Sequence, residues 1–379
     1  MKKIHLWFPD IFQFTGGIQV YSTFLLEALE ELYPQIEYEV FLKHDNNLPA
    51  DYDFSENINF HFAGDWPKQV RTYIFSAQLI KYAIYNRPNL IISTHINFSP
   101  LAYYLNRLLK IPYWVVVHGI EAWNISNPLL IEALFGAERI LSVSEYTREH
   151  ILQQHNIRPD KISVLPNTVN TQKFQIASKP HYLLQKYGLK PEQPVILTVS
   201  RLVGADRYKG YDQILQALPQ ISSVIADVHY ILVGKGDDRL RLEGLIAQLK
   251  LENRVTLAGF VPDDELCSYY NLCDVFAMPS QAEGFGIVYL EALACGKPTL
   301  AGNQDGAVDA LCQGELGVLV DPNNIQEIAE TLIQILQGNH PHKLLYQGEL
   351  LRAKLIAKYG FESFKQTLAK HLFQRFPAI

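Results

Sequence analysis

DVFAMPSQAEGFGIVYLEALACGKPTLAGN occupies residues 274–303. Its two ends, DVFAMPS and PTLAGN, are short apolar runs of strand character. IVYLEALAC between them reads as a helix, and EGFG as a tight loop before it. Strand, loop, helix and strand in that order are the repeating unit of a parallel α/β sheet. Glu283 heads the loop and Glu291 lies on the helix, with seven residues between them. That spacing is slightly over two turns at about 3.6 residues per turn. If the helix starts just after Gly286, its first N–H groups lack intrahelical partners and point back at the loop, which makes an anion site. One carboxylate then precedes the helix and the other stands two turns along it. A ligand with a central phosphate and hydroxyl-rich groups at both ends, such as a nucleotide-sugar, fits this layout.

The same alternation runs through the chain. Strand candidates in the first half are KIHLWF, YEVFLK, LIIST, YWVVVH and RILSVS. In the second half they are VILTVS, HYILVGKG, RVTLAGF, DVFAMPS and PTLAGN. Helical patterns such as IQVYSTFLLEALEEL and DDRLRLEGLIAQLKL lie between them. The rhythm lapses over residues 166–194, a polar stretch with Pro166, Pro180, Pro191 and Pro194. Two similar α/β domains follow from this, residues 1–177 and 178–360. Ligands are expected at the carboxyl ends of strands facing a cleft between them.

A length of 379 residues, 48% of them hydrophobic, accommodates two ordinary domains. The net charge of −6 excludes a general nucleic-acid binder. MKKIHLWFPD is too short for a signal sequence and breaks at Pro9, so it reads as a first strand. No apolar run approaches the ~18 residues of a membrane span. Cys267, Cys273, Cys295 and Cys312 lack CxxC spacing. They read as small buried hydrophobes in a reducing compartment, and the protein as cytoplasmic.

Several other residues carry possible chemistry. Gly16-Gly17 follow the first strand, either as a simple tight turn or as a close approach to a ligand. His118 ends the strand YWVVV, where an imidazole suits proton transfer or neutral hydrogen bonding, with Glu121 as a possible partner. Arg201 and Lys209 bracket RLVGADRYK after the first strand of the second domain. They read as a solvated charge cluster or, opposite the EGFG helix end, as a diphosphate clamp. Gly234-Lys235-Gly236 resembles half a dinucleotide fingerprint, with Arg239 where the third glycine belongs. Asp51-Tyr52-Asp53 is a DxD triplet in a polar stretch and reads as a surface loop. Cys/His metal spacing is absent, so no bound metal is expected. Residues 66–87 combine apolar and aromatic side chains with Lys68, Arg71, Lys81 and Arg87. They read as an amphipathic helix on the first sheet, or as a surface lying against anionic lipid.

Taken together, GGI near the start, HG after a mid-domain strand, SRL…RYKG, GKG and EGFG…E resemble the retaining glycosyltransferases of family four, over essentially the whole chain. The resemblance implies the GT-B fold, two Rossmann-like parallel-sheet domains facing a cleft, with a last helix (361–379) returning to the first domain. It implies that Arg201 and Lys209 neutralise the donor diphosphate and that Glu283 hydrogen-bonds the sugar hydroxyls. Gly284, Phe285 and Gly286 would present backbone N–H groups, and Glu291 would hold the ribose. Gly16 and Gly17 would approach the phosphates, and His118 the anomeric centre. Val261, in the AGFVP turn, would lie near the base, and Gly236 in the nucleotide-binding turn.

Two segments depart from the family pattern. Pro166-Asn167-Thr168-Val169-Asn170 stands for the usual PNG-V-D, and Gly302–Gly306 lacks the GG-x-PE form. The implied reaction is metal-free hexosyl transfer with retention and no cofactor. UDP-glucose is the favoured donor and GDP-mannose the rival. The acceptor is a saccharide or lipid-linked saccharide in envelope or exopolysaccharide assembly of a bacterial, including cyanobacterial, kind, with peripheral contact at the inner membrane face. A UDP-sugar 2-epimerase on the same fold and a non-catalytic nucleotide-sugar sensor are the alternatives. Oligomeric state is left open.

Overall fold

Thirteen strands form two all-parallel sheets in a computed structural model that describes residues 2–13, 16–49, 54–373, 375 and 376. The DxD triplet Asp51–Asp53 lies outside the described residues. The first sheet contains β1 (Lys3–Phe8), β2 (Glu37–Leu42), β3 (Ile58–Phe62), β4 (Leu90–Ser93), β5 (Tyr113–Val117), β6 (Arg139–Ser142) and β7 (Ile162–Val164). Its order is β3-β2-β1-β4-β5-β6-β7. The second contains β8 (Val195–Val199), β9 (His229–Val233), β10 (Val255–Gly259), β11 (Val275–Met278), β12 (Thr299–Gly302) and β13 (Val318–Val320), ordered β10-β9-β8-β11-β12-β13. Both are Rossmann-like. In each, the chain reverses direction across the sheet beside its first strand, between β1 and β4 and between β8 and β11. Ligands of such sheets gather outside the carboxyl ends of the strands at that switch point.

The central strands are apolar on both faces because helices cover both. β5 and β9 are buried along their whole length. Each such Val, Ile or Leu contributes about 1.5–3 kcal/mol by leaving water. The strands β3, β7 and β13 were not among the sequence candidates. β7 and β13 are three-residue edge strands, too short for a periodic signal. β3 alternates polar and aromatic side chains, INFHF, and beyond Ile58 it is exposed at Asn59 and half-buried from Phe60 to Phe62.

The chain divides into two compact units, residues 1–167 with 361–379, and residues 168–360. The division falls ten residues before the 177/178 boundary expected from composition. Residues 168–177 are held by the second unit. Thr168 Oγ1 donates to the Tyr359 carbonyl at 2.7 Å, Arg352 Nη2 donates to the Thr171 carbonyl at 2.6 Å, and the Asn271 amide donates to the Gln175 carbonyl at 2.9 Å. The helix Phe361–Leu372 packs within the first unit on the helix Gly17–Leu32, where Phe364 meets the Tyr21 ring edge-on at 5.7 Å and Lys365 pairs with Glu31.

Candidate active site

The β8/β11 switch of the second unit gathers most of the candidate residues. The helix Ile287–Ala294 begins immediately after Gly286, which caps it in the left-handed region at φ 87°. The Tyr289 N–H donates back to the Gly286 carbonyl at 3.1 Å, and the N–H groups of Ile287 and Val288 precede the first intrahelical acceptor. Phe285 is buried, its ring edge-on to Tyr359 at 5.4 Å, so it offers the site its backbone and not its side chain.

Lys209 and Glu283 form a nearly buried ion pair, with side chains 13% and 12% exposed. Burial pulls the Lys209 ammonium down, but the Glu283 carboxylate more than offsets this and the net shift is upward. Lys209 therefore stays charged. Gly210 fixes its direction. It turns at φ 84°, and a Cβ there would stand 2.3 Å from the Pro279 carbonyl oxygen, so the loop after β8 lies directly on the loop after β11. Arg201 is mostly exposed, with its guanidinium 2.9 Å from Asp206, and is free to swing toward a ligand at small cost.

Gly234-Lys235-Gly236 has a packing role. A Cβ on Gly236 would lie 1.9 Å from the Leu202 carbonyl oxygen. Asp237 accepts the Gly204 N–H at 2.8 Å, and buried Asp238 accepts Tyr211 Oη at 3.0 Å and Arg241 Nε at 2.7 Å. The turn after β9 is thus a cradle for the Arg201–Lys209 loop. Val261 follows β10 and is buried, while Phe260 beside it is exposed, with the Lys235 ammonium 4.6 Å from its ring centre.

Glu291 is buried and accepts a 2.6 Å hydrogen bond from Tyr270 Oη. Burial pushes its carboxyl up to about 7; the Tyr270 bond opposes this, Asp263 adds to it and Lys173 opposes it. A carboxyl raised from 4.5 to about 7 by folding favours the folded state fully at low pH, and that stability is lost as pH rises through about 7. Glu291→Gln is therefore expected to melt higher than the parent at pH 8 without ligand, by up to about 3 kcal/mol, and to lose the decline in stability between roughly pH 4.5 and 7. Thermal melts across that range test it. An unchanged pH slope would refute the assignment.

The β1/β4 switch holds the remaining candidates. Gly16 caps the helix Gly17–Leu32 in an extended conformation. A Cβ on Gly17 would meet nothing within 4 Å, so neither packing nor backbone geometry demands glycine there. Asp45 anchors the loop after β1: it is fully buried and accepts the N–H groups of Ile11 at 2.7 Å and Gln13 at 2.9 Å.

The His118 Nε2–H donates to the Thr94 carbonyl at 3.0 Å, and Tyr21 packs against the ring at 5.1 Å. Burial holds this imidazole down to about 4 despite the Thr94 bond, so it is neutral at physiological pH with Nδ1 as acceptor. Glu121 is not the imidazole's partner. Its Oε1 accepts the His118 peptide N–H, because the 3-10 turn Ile120–Ala122 folds the carboxylate back onto the strand end.

Sequence reasoning missed Asp305, which is fully buried. Its Oδ2 accepts the Glu283 N–H at 2.7 Å and the Ser280 hydroxyl at 2.6 Å, and its Oδ1 accepts the Ala307 N–H at 2.9 Å. Gly306 N–H donates to the Glu283 carbonyl at 2.8 Å. Both peptide groups of Glu283 are thereby fixed from the loop after β12. The only signal was an aspartate in the Gly302–Gly306 loop, where the departure from the family pattern hid it.

Known proteins resemble this chain in sequence and fold. The profile of "Glycosyltransferase Family 4" matches residues 15–173, and that of "Glycosyl transferases group 1" matches residues 183–350. A GDP-mannose-dependent alpha-(1-6)-phosphatidylinositol monomannoside mannosyltransferase of Mycobacterium tuberculosis is 32% identical over 266 residues, covering 67% of this chain and 68% of the relative. The chain belongs to the family 4 type of glycosyltransferases. A 2-deoxystreptamine glucosyltransferase of Streptomyces kanamyceticus is 28% identical over 62% of this chain and 64% of its own.

Among solved structures, sucrose-phosphate synthase from Thermosynechococcus elongatus superposes with a TM-score of 0.82 at 22% identity over all of both chains. Anabaena HepE in complex with UDP superposes at 0.78 and 20% identity, covering 99% of this chain and all of the other. These likenesses establish the GT-B fold for this glycosyltransferase.

Proposed function

We propose that the chain is a retaining hexosyltransferase that moves glucose from UDP-glucose onto a saccharide or lipid-linked saccharide acceptor during polysaccharide assembly. The observation that carries this reading is the Lys209–Glu283 pair set before the Ile287–Ala294 helix, with Glu291 two turns beyond. Anomeric carbon–oxygen cleavage leaves the electron pair on the departing diphosphate. Lys209 and Arg201 stabilise that charge, with first-turn N–H dipoles beside them; such preorganised donors are worth ~3–4 kcal/mol each. The acceptor hydroxyl attacks from the same face, and its proton passes to the leaving phosphate. Glu283 holds the sugar hydroxyls, and His118, neutral, accepts a hydrogen bond near the anomeric centre. Two cationic side chains supply the charge a divalent ion would otherwise supply, which supports transfer without a metal. The protein acts in the cytoplasm at the inner membrane face.

A second reading, mannosyl transfer from GDP-mannose, is favoured by the 32% identity to the mycobacterial mannosyltransferase. Thermal melts over a panel of UDP- and GDP-sugars, with UDP, GDP and NAD as references and EDTA added to the best ligand, decide between them. A ligand at a hundred times its Kd stabilises by about 2.7 kcal/mol. Selective, EDTA-insensitive stabilisation by UDP-glucose is expected. Stabilisation by GDP-mannose alone would move the donor to mannose, and stabilisation by NAD alone, or by none of the panel, would overturn the reading.

A further inference from the structure

Cys267 and Cys295 stand 28 residues apart in the sequence, yet their sulfurs meet at 3.9 Å. Both are reduced. Cys267 is half-buried on the helix Leu266–Leu272, and Cys295 is buried where the helix Ile287–Ala294 ends. The other two cysteines have oxygen partners. Cys273 Sγ donates to the Tyr270 carbonyl at 3.2 Å, and Cys312 Sγ to Tyr359 Oη at 3.5 Å. The pair is also unequal. The Cys267 thiol is held below its usual range, first because the Cys295 S–H donates to its thiolate; burial opposes this, and Asn271 Nδ2 at 3.4 Å and the Lys173 ammonium assist. Lys173 is itself paired with Asp263. The neutral Cys267 thiol can instead donate to the Gln175 carbonyl at 3.7 Å. Cys295 moves the other way, raised by its bond to Cys267 and then by burial. A half-exposed sulfur that ionises first, backed by a buried one that keeps its proton, is the arrangement of a reactive cysteine and its resolving partner.

The two sulfurs join the same pair of helices as the Tyr270–Glu291 hydrogen bond. Tyr270 follows Cys267 by one turn on its helix. Glu291 precedes Cys295 by one turn on the other, and its carbonyl accepts the Cys295 N–H at 3.1 Å. The Cys295 side is anchored, because Arg352 donates to the carbonyls of both Ala294 and Phe174. Bonding requires the sulfurs to approach by about 2 Å. That movement therefore falls on the Leu266–Leu272 helix, and it carries Tyr270.

We propose that Cys267 is a peroxide-reactive cysteine and that Cys295 resolves it as a disulfide. The Cys267 thiolate attacks one oxygen of hydrogen peroxide, the O–O bond breaks, and the departing hydroxide takes up the proton that Cys267 gave. Cys295 Sγ then attacks the sulfenic sulfur of Cys267. The S–O bond breaks, and the hydroxide leaves as water with the Cys295 proton. Two thiols lose two hydrogens and two electrons, and the peroxide becomes two waters. A dithiol reductant reverses the bridge by exchange, so in a reducing compartment it is transient. On the reading that Glu291 holds the donor ribose, the bridge draws Tyr270 off Glu291 and weakens donor binding.

The test treats the full chain with hydrogen peroxide, blocks the remaining thiols under denaturing conditions, and reads mass and peptide map. The intact mass should fall by about 2 Da, the two hydrogens lost. Free thiols should drop from the four in the sequence to two, with Cys267 linked to Cys295, and dithiothreitol should restore all four. Cys267 should react roughly tenfold or more faster than Cys273 or Cys312, in keeping with its thiolate fraction. Cys267→Ser, at a half-exposed position, should abolish the bridge. Cys295→Ala should leave a sulfenic acid on Cys267 that dimedone traps, so its mass rises. Four free thiols persisting in the treated parent, a bridge mapped to another pair, or unchanged thiol loss in Cys267→Ser overturns the proposal. Nucleotide-sugar melts on the same bridged sample read the consequence separately. Undiminished donor stabilisation after complete bridging overturns the coupling to Glu291, whereas no donor stabilisation of the reduced parent overturns the function proposed above and leaves the disulfide result standing.

Discussion

Lys209→Ala is expected to lower kcat by roughly a thousandfold, the scale of removing one preorganised charge from a developing oxyanion. Its ammonium is almost fully enclosed, paired with Glu283, and kept protonated by that pair. Without donor, each charge satisfies the other. With donor bound, the proposed roles send Lys209 to the diphosphate and Glu283 to the sugar hydroxyls, so the pair holds both groups ready while the site is empty. Removing Lys209 also leaves a buried carboxylate unpaired, which destabilises by about 3–5 kcal/mol. The activity loss must therefore be separated from loss of fold. The double variant Lys209→Met with Glu283→Gln restores a neutral pair and should recover most of the melting temperature while recovering no turnover. Glu283→Gln alone should keep measurable activity, because an amide still bonds sugar hydroxyls. A Lys209→Ala enzyme within roughly tenfold of the parent kcat would remove Lys209 from charge neutralisation. A glycosyl adduct trapped on Glu283 would turn that residue from a positioning group into a nucleophile.

What could be read from sequence was set by local signals. The strand KIHLWF was placed at its observed limits, Lys3–Phe8, because an apolar run ending at Pro9-Asp10 is bounded on both sides. The apolar stretch IVYLEALAC after EGFG reads as a helix, and the helix does begin just after Gly286. Both switch points could be reached the same way, since glycines and cations after strands mark carboxyl ends. What could not be read were contacts between distant residues. Nothing in the sequence links Glu283 to Asp305, or shows that a Cβ on Gly236 would meet the Leu202 carbonyl. Glu121 is three residues from His118 and invites a side-chain pairing, but a 3-10 turn gave it the peptide N–H instead. Spacing shows which residues are close in the chain, and backbone conformation decides which atoms meet.

Asp305→Ala is expected to cost about 3 kcal/mol of stability, since the N–H groups of Glu283 and Ala307 and the Ser280 hydroxyl lose a buried acceptor together. It is also expected to lower kcat roughly a hundredfold, because the Glu283 loop then shifts relative to Lys209, and misplacement near 1 Å costs about that factor. Asp305 positions Glu283 through the Glu283 N–H. A merely structural role would affect stability and leave the pH profile alone, so the profile decides. Burial pushes the Asp305 carboxyl up to about 6; the bonds from Ser280, Glu283 and Ala307 oppose this, and the Glu283 charge adds to it. Being raised on folding, this group favours the folded state at low pH and less so as pH rises through about 6. Function runs the other way. Below about 6 the carboxyl gains a proton and one of its three donors loses its acceptor, so kcat should fall on the acid side with KM for the donor little changed. Asp305→Asn keeps an oxygen for the Glu283 N–H and cannot titrate. It should retain much of the turnover and lose that acid limb in kcat. If the limb persists unchanged in Asp305→Asn, another group sets it, and the tether from Asp305 to Glu283 is only structural.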